Sequence, residues 1–280
     1  MRERMDGVGM FGRGRIETKG VDEIALMRQA GLVVARTLQS LRDAVAPGVS
    51  TGDLDAFAHE RIREQGATSN FLGYHGFTGV ICTSVNDEVV HGIPGDRILR
   101  EGDLISIDCG AVVAGWHGDA AITVPVGEVA PEMLELSRVT EESLWRGIAA
   151  MGTGSTVGDI SHAIETYVDD QGEYGIVEGF TGHGIGTAMH LPPDVPNYGR
   201  PGRGPKLAPG VTLAIEPMVT LGTSQTRILE DDWTAVTTDG SWASHWEHTV
   251  ARTETGVWVL TAEDGGAAKL AELGVPFGGA

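Results

Sequence analysis

The sequence predicts one α/β domain organised as an internal two-fold repeat. Three observations predict it: a helix pattern occurs twice, a strand pattern occurs twice, and each strand copy closes on a carboxylate. The helix pattern runs from Asp53 to Gly66 as DLDAFAHERIREQG and again from Asp159 to Gly172 as DISHAIETYVDDQG. Leu54 corresponds to Ile160, Ala58 to Ile164 and Ile62 to Val168. That spacing, i, i+4, i+8, is one apolar helix face. Each copy opens on Asp, read as the N-cap, with Ser50-Thr51 or Ser155-Thr156 just upstream, and closes on Gly, read as the C-cap.

The strand pattern runs from Leu99 to Asp108 as LREGDLISID and from Leu207 to Glu216 as LAPGVTLAIE. Leu, a turn glycine (Gly102, Gly210) and Ile recur in register. A carboxylate that closes a buried strand is costly unless it is paired or binds a cation. The same acid in both copies points to a site near the pseudo-two-fold axis. A duplicated scaffold without a site would leave both acids unexplained.

After Asp108 come Val112-Val113, Ala114-Gly115 and Trp116-His117-Gly118-Asp119, a hairpin pattern that sets Asp108 and Asp119 nearly opposite on one face. Two such carboxylates repel, so one is protonated or a cation lies between them. Three further candidates lie downstream: His183 between glycines in Thr181-Gly182-His183-Gly184, Glu216 in Ile215-Glu216-Pro217, and Glu247 in a β-like run with His248 on the other face. Asp108, Asp119, His183, Glu216 and Glu247 together form an oxygen-rich set, which suits manganese, iron(II) or cobalt more than structural zinc.

The totals exclude other classes. With 280 residues, 41% hydrophobic, the chain is long enough for a packed core. A formal charge of −19 argues against reading nucleic acid. The only cysteines, Cys82 and Cys109, read as buried apolar residues rather than a disulfide framework. No apolar run approaches membrane-spanning length and the first residues hold no secretory core, so a cytoplasmic protein without membrane contact is expected. Residues 1–15 read as a flexible lead, and 263–280 as a C-terminal tail with one or two helical turns over 267–273.

The motifs resemble those of the type I methionine aminopeptidases, from Asn86-Asp87-Glu88-Val89-Val90-His91-Gly92-Ile93-Pro94 through Gly102–Asp108, His117-Gly118-Asp119, Gly182–Gly186, His190 with Pro193, Ala214–Met218 and Glu247-His248-Thr249. The resemblance implies a single catalytic domain over 16–262 with the pita-bread fold, a curved antiparallel sheet backed by helices. It implies metal-dependent removal of initiator methionine from peptides and nascent chains whose second residue is small. It also implies two divalent metal ions (cobalt, manganese, iron(II) or zinc). Asp119 and Glu247 would bridge them, Asp108 would bind one alone, and His183 with Glu216 would complete the other. Glu216 resembles the proton shuttle, and His91 and His190 resemble the two histidines that contact substrate.

By position, Tyr74, Phe77, Cys82, Met189 and Trp233 would line the methionine slot, against the alternative of ordinary core packing. Met189 stands where the family more often has an aromatic, and His190-Leu191-Pro192-Pro193 departs from His-Glu-x-Pro. The short span from Glu216 to Glu247 leaves no room for the type II insertion, and the large N-terminal domain of the related prolidases is not found. A monomer is expected, with a transient ribosome contact as a further allowance. Two other readings remain: an aminopeptidase of altered specificity, and a pita-bread binding protein without activity.

Overall fold

The structure is a computed structural model that describes residues 16–279; the expected lead, 1–15, lies outside the described residues. The chain runs α1 (Val21–Ala44), α2 (Thr51–Glu64), β1 (Thr68–Ser69), a 3-10 turn (Tyr74–Gly76), β2 (Ile81–Val85), β3 (Glu88–Val90), β4 (Leu104–Val113), β5 (Trp116–Pro125), α3 (Pro131–Thr153) and α4 (Val157–Gln171). It continues with β6 (Gly175–Ile176), β7 (Gly182–Gly184), β8 (Leu191–Val195), β9 (Thr212–Ile215), β10 (Met218–Thr220), β11 (Thr226–Ile228), β12 (Ala235–Thr237), β13 (Ala243–His245), β14 (His248–Arg252), β15 (Val257–Val259) and α5 (Ala267–Glu272).

Every named strand pair is antiparallel. One sheet centres on β4, with β5 on one side and β1 and β2 on the other. A second has the order β15-β14-β9-β7-β8, and two small sheets, β13-β10-β6 and β11-β12-β3, flank them. The hairpins β4–β5 and β9–β14 are the structural copies. They join where Glu247 N–H donates to Ala121 O (3.0 Å) and Ala121 N–H donates to Glu247 O (3.3 Å). Beside that pair, Asp119 N–H donates to Thr249 Oγ1 (3.0 Å), and the same hydroxyl donates to Asp119 O (2.8 Å).

The repeated helices are α2 and α4, and the matched residues Leu54, Ala58, Ile62, Ile160, Ile164 and Val168 are all buried. Their caps correct the sequence reading. Ser50 and Thr156 are the N-caps, and Asp53 and Asp159 sit three residues on, closing capping boxes. The apolar stripe begins one residue after each Asp and carries no mark of which polar residue leaves helical geometry, so Asp looked like the boundary. In both strand copies the turn glycine takes a left-handed backbone, φ 90° at Gly102 and 88° at Gly210, so the strands begin only at Leu104 and Thr212. Residues 263–279 are packed rather than loose: Leu270 and Val275 join the main core, Gly278 N–H donates to Val257 O (2.8 Å), and Lys269 Nζ lies 2.6 Å from Glu142.

Candidate metal centre

Each acid owes its place to a strand position. Asp108 lies in β4 and Asp119 in β5, but the register pairs Asp108 with Ala121 and Gly110 with Asp119. The two acids are therefore diagonal neighbours on one face, not directly opposed as the hairpin pattern suggested; the tight turn at Ala114 (φ 51°) and Gly115 (φ 83°) sets that register. Their carboxyl groups still feel one another: the Asp108 carboxylate helps to push Asp119 upward. Glu216 follows β9 and Glu247 precedes β14. His183 lies in β7, across from Ala214 and Asp194.

His183 Nδ1 lies 2.9 Å from Gly184 O, so the proton sits on Nδ1 and the Nε2 lone pair is free to bind a cation. Nε2 is 3.6 Å from Glu216 Oε1. Burial holds His183 near 4, so the ring is neutral. One ligand atom from each of Asp119, His183 and Glu247 lies within 4.8 Å of the others, a spacing one ion can span.

The acids are in an environment that disfavours charge. Burial, followed by the neighbouring carboxylates, pushes Asp119, Glu216 and Glu247 well above the usual carboxylate range, and burial pushes Asp108 to about 7. Asp108 Oδ1, Asp119 Oδ1 and Glu247 Oε1 are buried without a hydrogen-bond partner among the described residues. Four acids crowded in this way are costly unless cations compensate them, so the donor set fits divalent ions.

The same cavity, about 300 Å³, is lined by all five of these residues, by His91 and His190, and by Tyr74, Phe77, Cys82, Met189 and Trp233. Every site residue expected from the sequence thus faces one space. Phe77, Cys82 and Met189 form a buried apolar cluster with Phe71, and Tyr74 and Trp233 pack on it. Phe77 and Trp233 meet edge to face at 5.1 Å. His91 has φ 61°, a conformation rare for a residue with a Cβ, and its ring packs between Phe180 (5.5 Å) and Trp233 (6.1 Å). His190 packs edge to face on His183 at 4.4 Å. Burial lowers His91 to about 4 and His190 to about 3, so both are neutral hydrogen-bonding groups near pH 7.

Sequence reasoning missed several cavity residues. Phe71, Phe180 and Asp194 also line the space. His245 lies behind it, 1% exposed, with Nε2 3.6 Å from Glu216 Oε2. Strand alternation could have found His245, since it shares a face with Glu247 two residues on. Nothing in the sequence marks Phe71.

The sequence profile of Metallopeptidase family M24 matches residues 25–254. The chain is 53% identical over 256 residues to "Methionine aminopeptidase 1" of Mycobacterium tuberculosis, covering 89% of this chain and 96% of that one. It is 49% identical over 239 residues to "Methionine aminopeptidase 1" of Bacillus subtilis, with 85% and 96% covered. The crystal structure of methionine aminopeptidase from Thermotoga maritima superposes with a TM-score of 0.87 at 42% identity, covering 89% of this chain and all (100%) of that one. The prolidase of Pyrococcus furiosus shares the fold alone, with a TM-score of 0.67 at 21% identity over 87% of this chain and 65% of that one.

Proposed function

The chain belongs to metallopeptidase family M24, and on that premise we propose that it is a metal-dependent methionine aminopeptidase, a hydrolase that removes N-terminal methionine from peptides. One observation carries the reading: an acid-rich candidate ligand set and an apolar cluster line one cavity. Nascent chains with a small second residue are the proposed substrates and the cytoplasm the proposed setting, with the chain acting as a monomer that touches the ribosome only transiently. No helix among the described residues is long and apolar enough to cross a membrane.

Asp108, Asp119, His183, Glu216 and Glu247 would hold two divalent ions, manganese, iron(II) or cobalt by donor type and zinc by compatibility. When bound, such ions supply polarisation of the scissile carbonyl and a low pKa for attacking water. Glu216, at the cavity wall, takes a proton from the attacking water and passes it to the departing amine. His190, at the cavity wall, donates a hydrogen bond to the carbonyl oxygen as it gains charge, and His91 contacts the substrate beside the scissile bond. Phe77, Cys82 and Met189 exclude water and hold the thioether side chain. His91, fixed between Phe180 and Trp233, leaves little width for the second residue.

The test is release of methionine from a Met-Ala-Ser peptide by chelator-treated enzyme before and after manganese is added back. Activity should vanish on chelation and return with metal, at two ions per chain by elemental analysis. Full activity in a verified metal-free sample would sink the mechanism.

A further inference from the structure

Tyr74 entered as a wall of the apolar slot, yet its hydroxyl lies 2.7 Å from His190 Nδ1. We propose that Tyr74 is a positioning residue whose hydroxyl donates to His190 Nδ1 and so fixes the neutral ring in the tautomer that carries its proton on Nε2. The inference rests on the hydrolytic reading of the cavity given above.

Direction follows from chemistry. A phenol is the better donor and an imidazole nitrogen the better acceptor, so O–H···N is the stronger of the two arrangements. The reverse bond would have to send the phenol proton to another acceptor. Burial keeps the phenol protonated by raising it above its usual range. In a neutral imidazole the hydrogen bond made at one nitrogen helps to set which nitrogen carries the proton. The choice matters because only Nε2–H can donate to an oxygen that gains charge; the other tautomer would present a lone pair there.

The local backbone holds the phenol in place. Gly73 has φ 84° and His75 φ 45° on either side of Tyr74. Gly73 N–H donates to Phe77 O (2.8 Å) and Phe77 N–H donates back to Tyr74 O (2.9 Å), which closes the turn. The ring centroid lies 5.3 Å from that of His190. Phe71, Phe77, Phe180 and Trp233, the other aromatic walls, carry no hydroxyl.

Tyr74→Phe keeps the ring and removes the hydroxyl. In the metal-loaded enzyme it should lower kcat roughly tenfold and leave KM within about twofold, since the wall survives while the hydrogen bond does not. On a His190→Ala background the same change should cost nothing further. Zinc-loaded enzyme with ¹⁵N-labelled histidine should show His190 protonated on Nε2 alone, and a changed tautomer balance in Tyr74→Phe. A protonated Nδ1 in the parent enzyme, an equal kcat loss on the His190→Ala background, or a change in KM alone would overturn the proposal. A parent enzyme that releases no methionine would defeat the hydrolytic reading instead, and the labelled spectrum would still decide the tautomer.

Discussion

The hairpin β4–β5 closes on the two-residue turn Ala114–Gly115, whereas its structural copy β9–β14 opens between Glu216 and Glu247 to admit β10, β11, β12 and β13. The closed copy offers two acids on one rigid face. The open copy offers two acids at the edges of an excursion that also carries Trp233 and His245. Repetition therefore places the four acids of the proposed ligand set, and departure from repetition supplies one wall of the cavity and the support behind Glu216. Damage to the shared part should remove the ions, and damage to the divergent part should change what is cut.

The largest effect should come at the junction of the copies. Asp119→Ala and Glu247→Ala should each abolish methionine release and strip both ions, because each is proposed to bridge. Elemental analysis that still found two ions per chain would break the assignment. His190→Ala, on the segment between β7 and β8, should lower kcat by about 10²–10³, the usual loss for one oxyanion donor, with metal content unchanged. Loss of metal in that variant would move His190 into the ligand set.

The slot gives a finer test. Norleucine keeps the shape of methionine and loses only a sulfur–ring contact of roughly 0.3–1.5 kcal/mol, so a norleucine peptide should be cut only modestly more slowly. N-terminal alanine empties the slot at about 1–3 kcal/mol per missing methylene and should lose several orders of magnitude in kcat/KM. Equal release of leucine, alanine and methionine would leave an aminopeptidase of broader specificity.

The smallest effects separate the two capping boxes. Asp53 accepts from Ser50 alone, through its N–H and Oγ. Asp159 accepts from Ser155 N–H and Thr156 N–H and, through its other oxygen, from Gly202 N–H, each at 2.8 Å. Asp159→Ala should thus lower Tm by about 2–4 °C, and by more than Asp53→Ala. Backbone hydrogen bonds hold the Asp159 carboxyl at about 2, below its ordinary value. Its contribution is complete above the ordinary carboxylate range and fades as pH falls through about 2, so the gap between Asp159→Ala and the parent should close in strong acid.

Legibility followed periodicity. Apolar spacing in α2 and α4 is a local property, so both helices and their buried faces could be read directly. Acids at the ends of matched strands were visible because burying them unpaired is costly. The diagonal offset of Asp108 and Asp119 was not, because register depends on the turn as well as on the pattern. Asp194 and Phe180 were missed for a different reason: each looks like an ordinary loop or strand residue until the fold sets Asp194 across from His183 and Phe180 against His91. The role of Tyr74 was half visible, its ring from position and its hydroxyl bond only from geometry.

Asp119 and Thr249 are bonded across 130 residues of chain. A growing chain that has completed β4 and β5 holds two acids but neither Glu216 nor Glu247, and the backbone of β5 lacks the strand that fixes it. On the proposed ligand set, the site can therefore close only after Glu247 and Thr249 have been added to the chain.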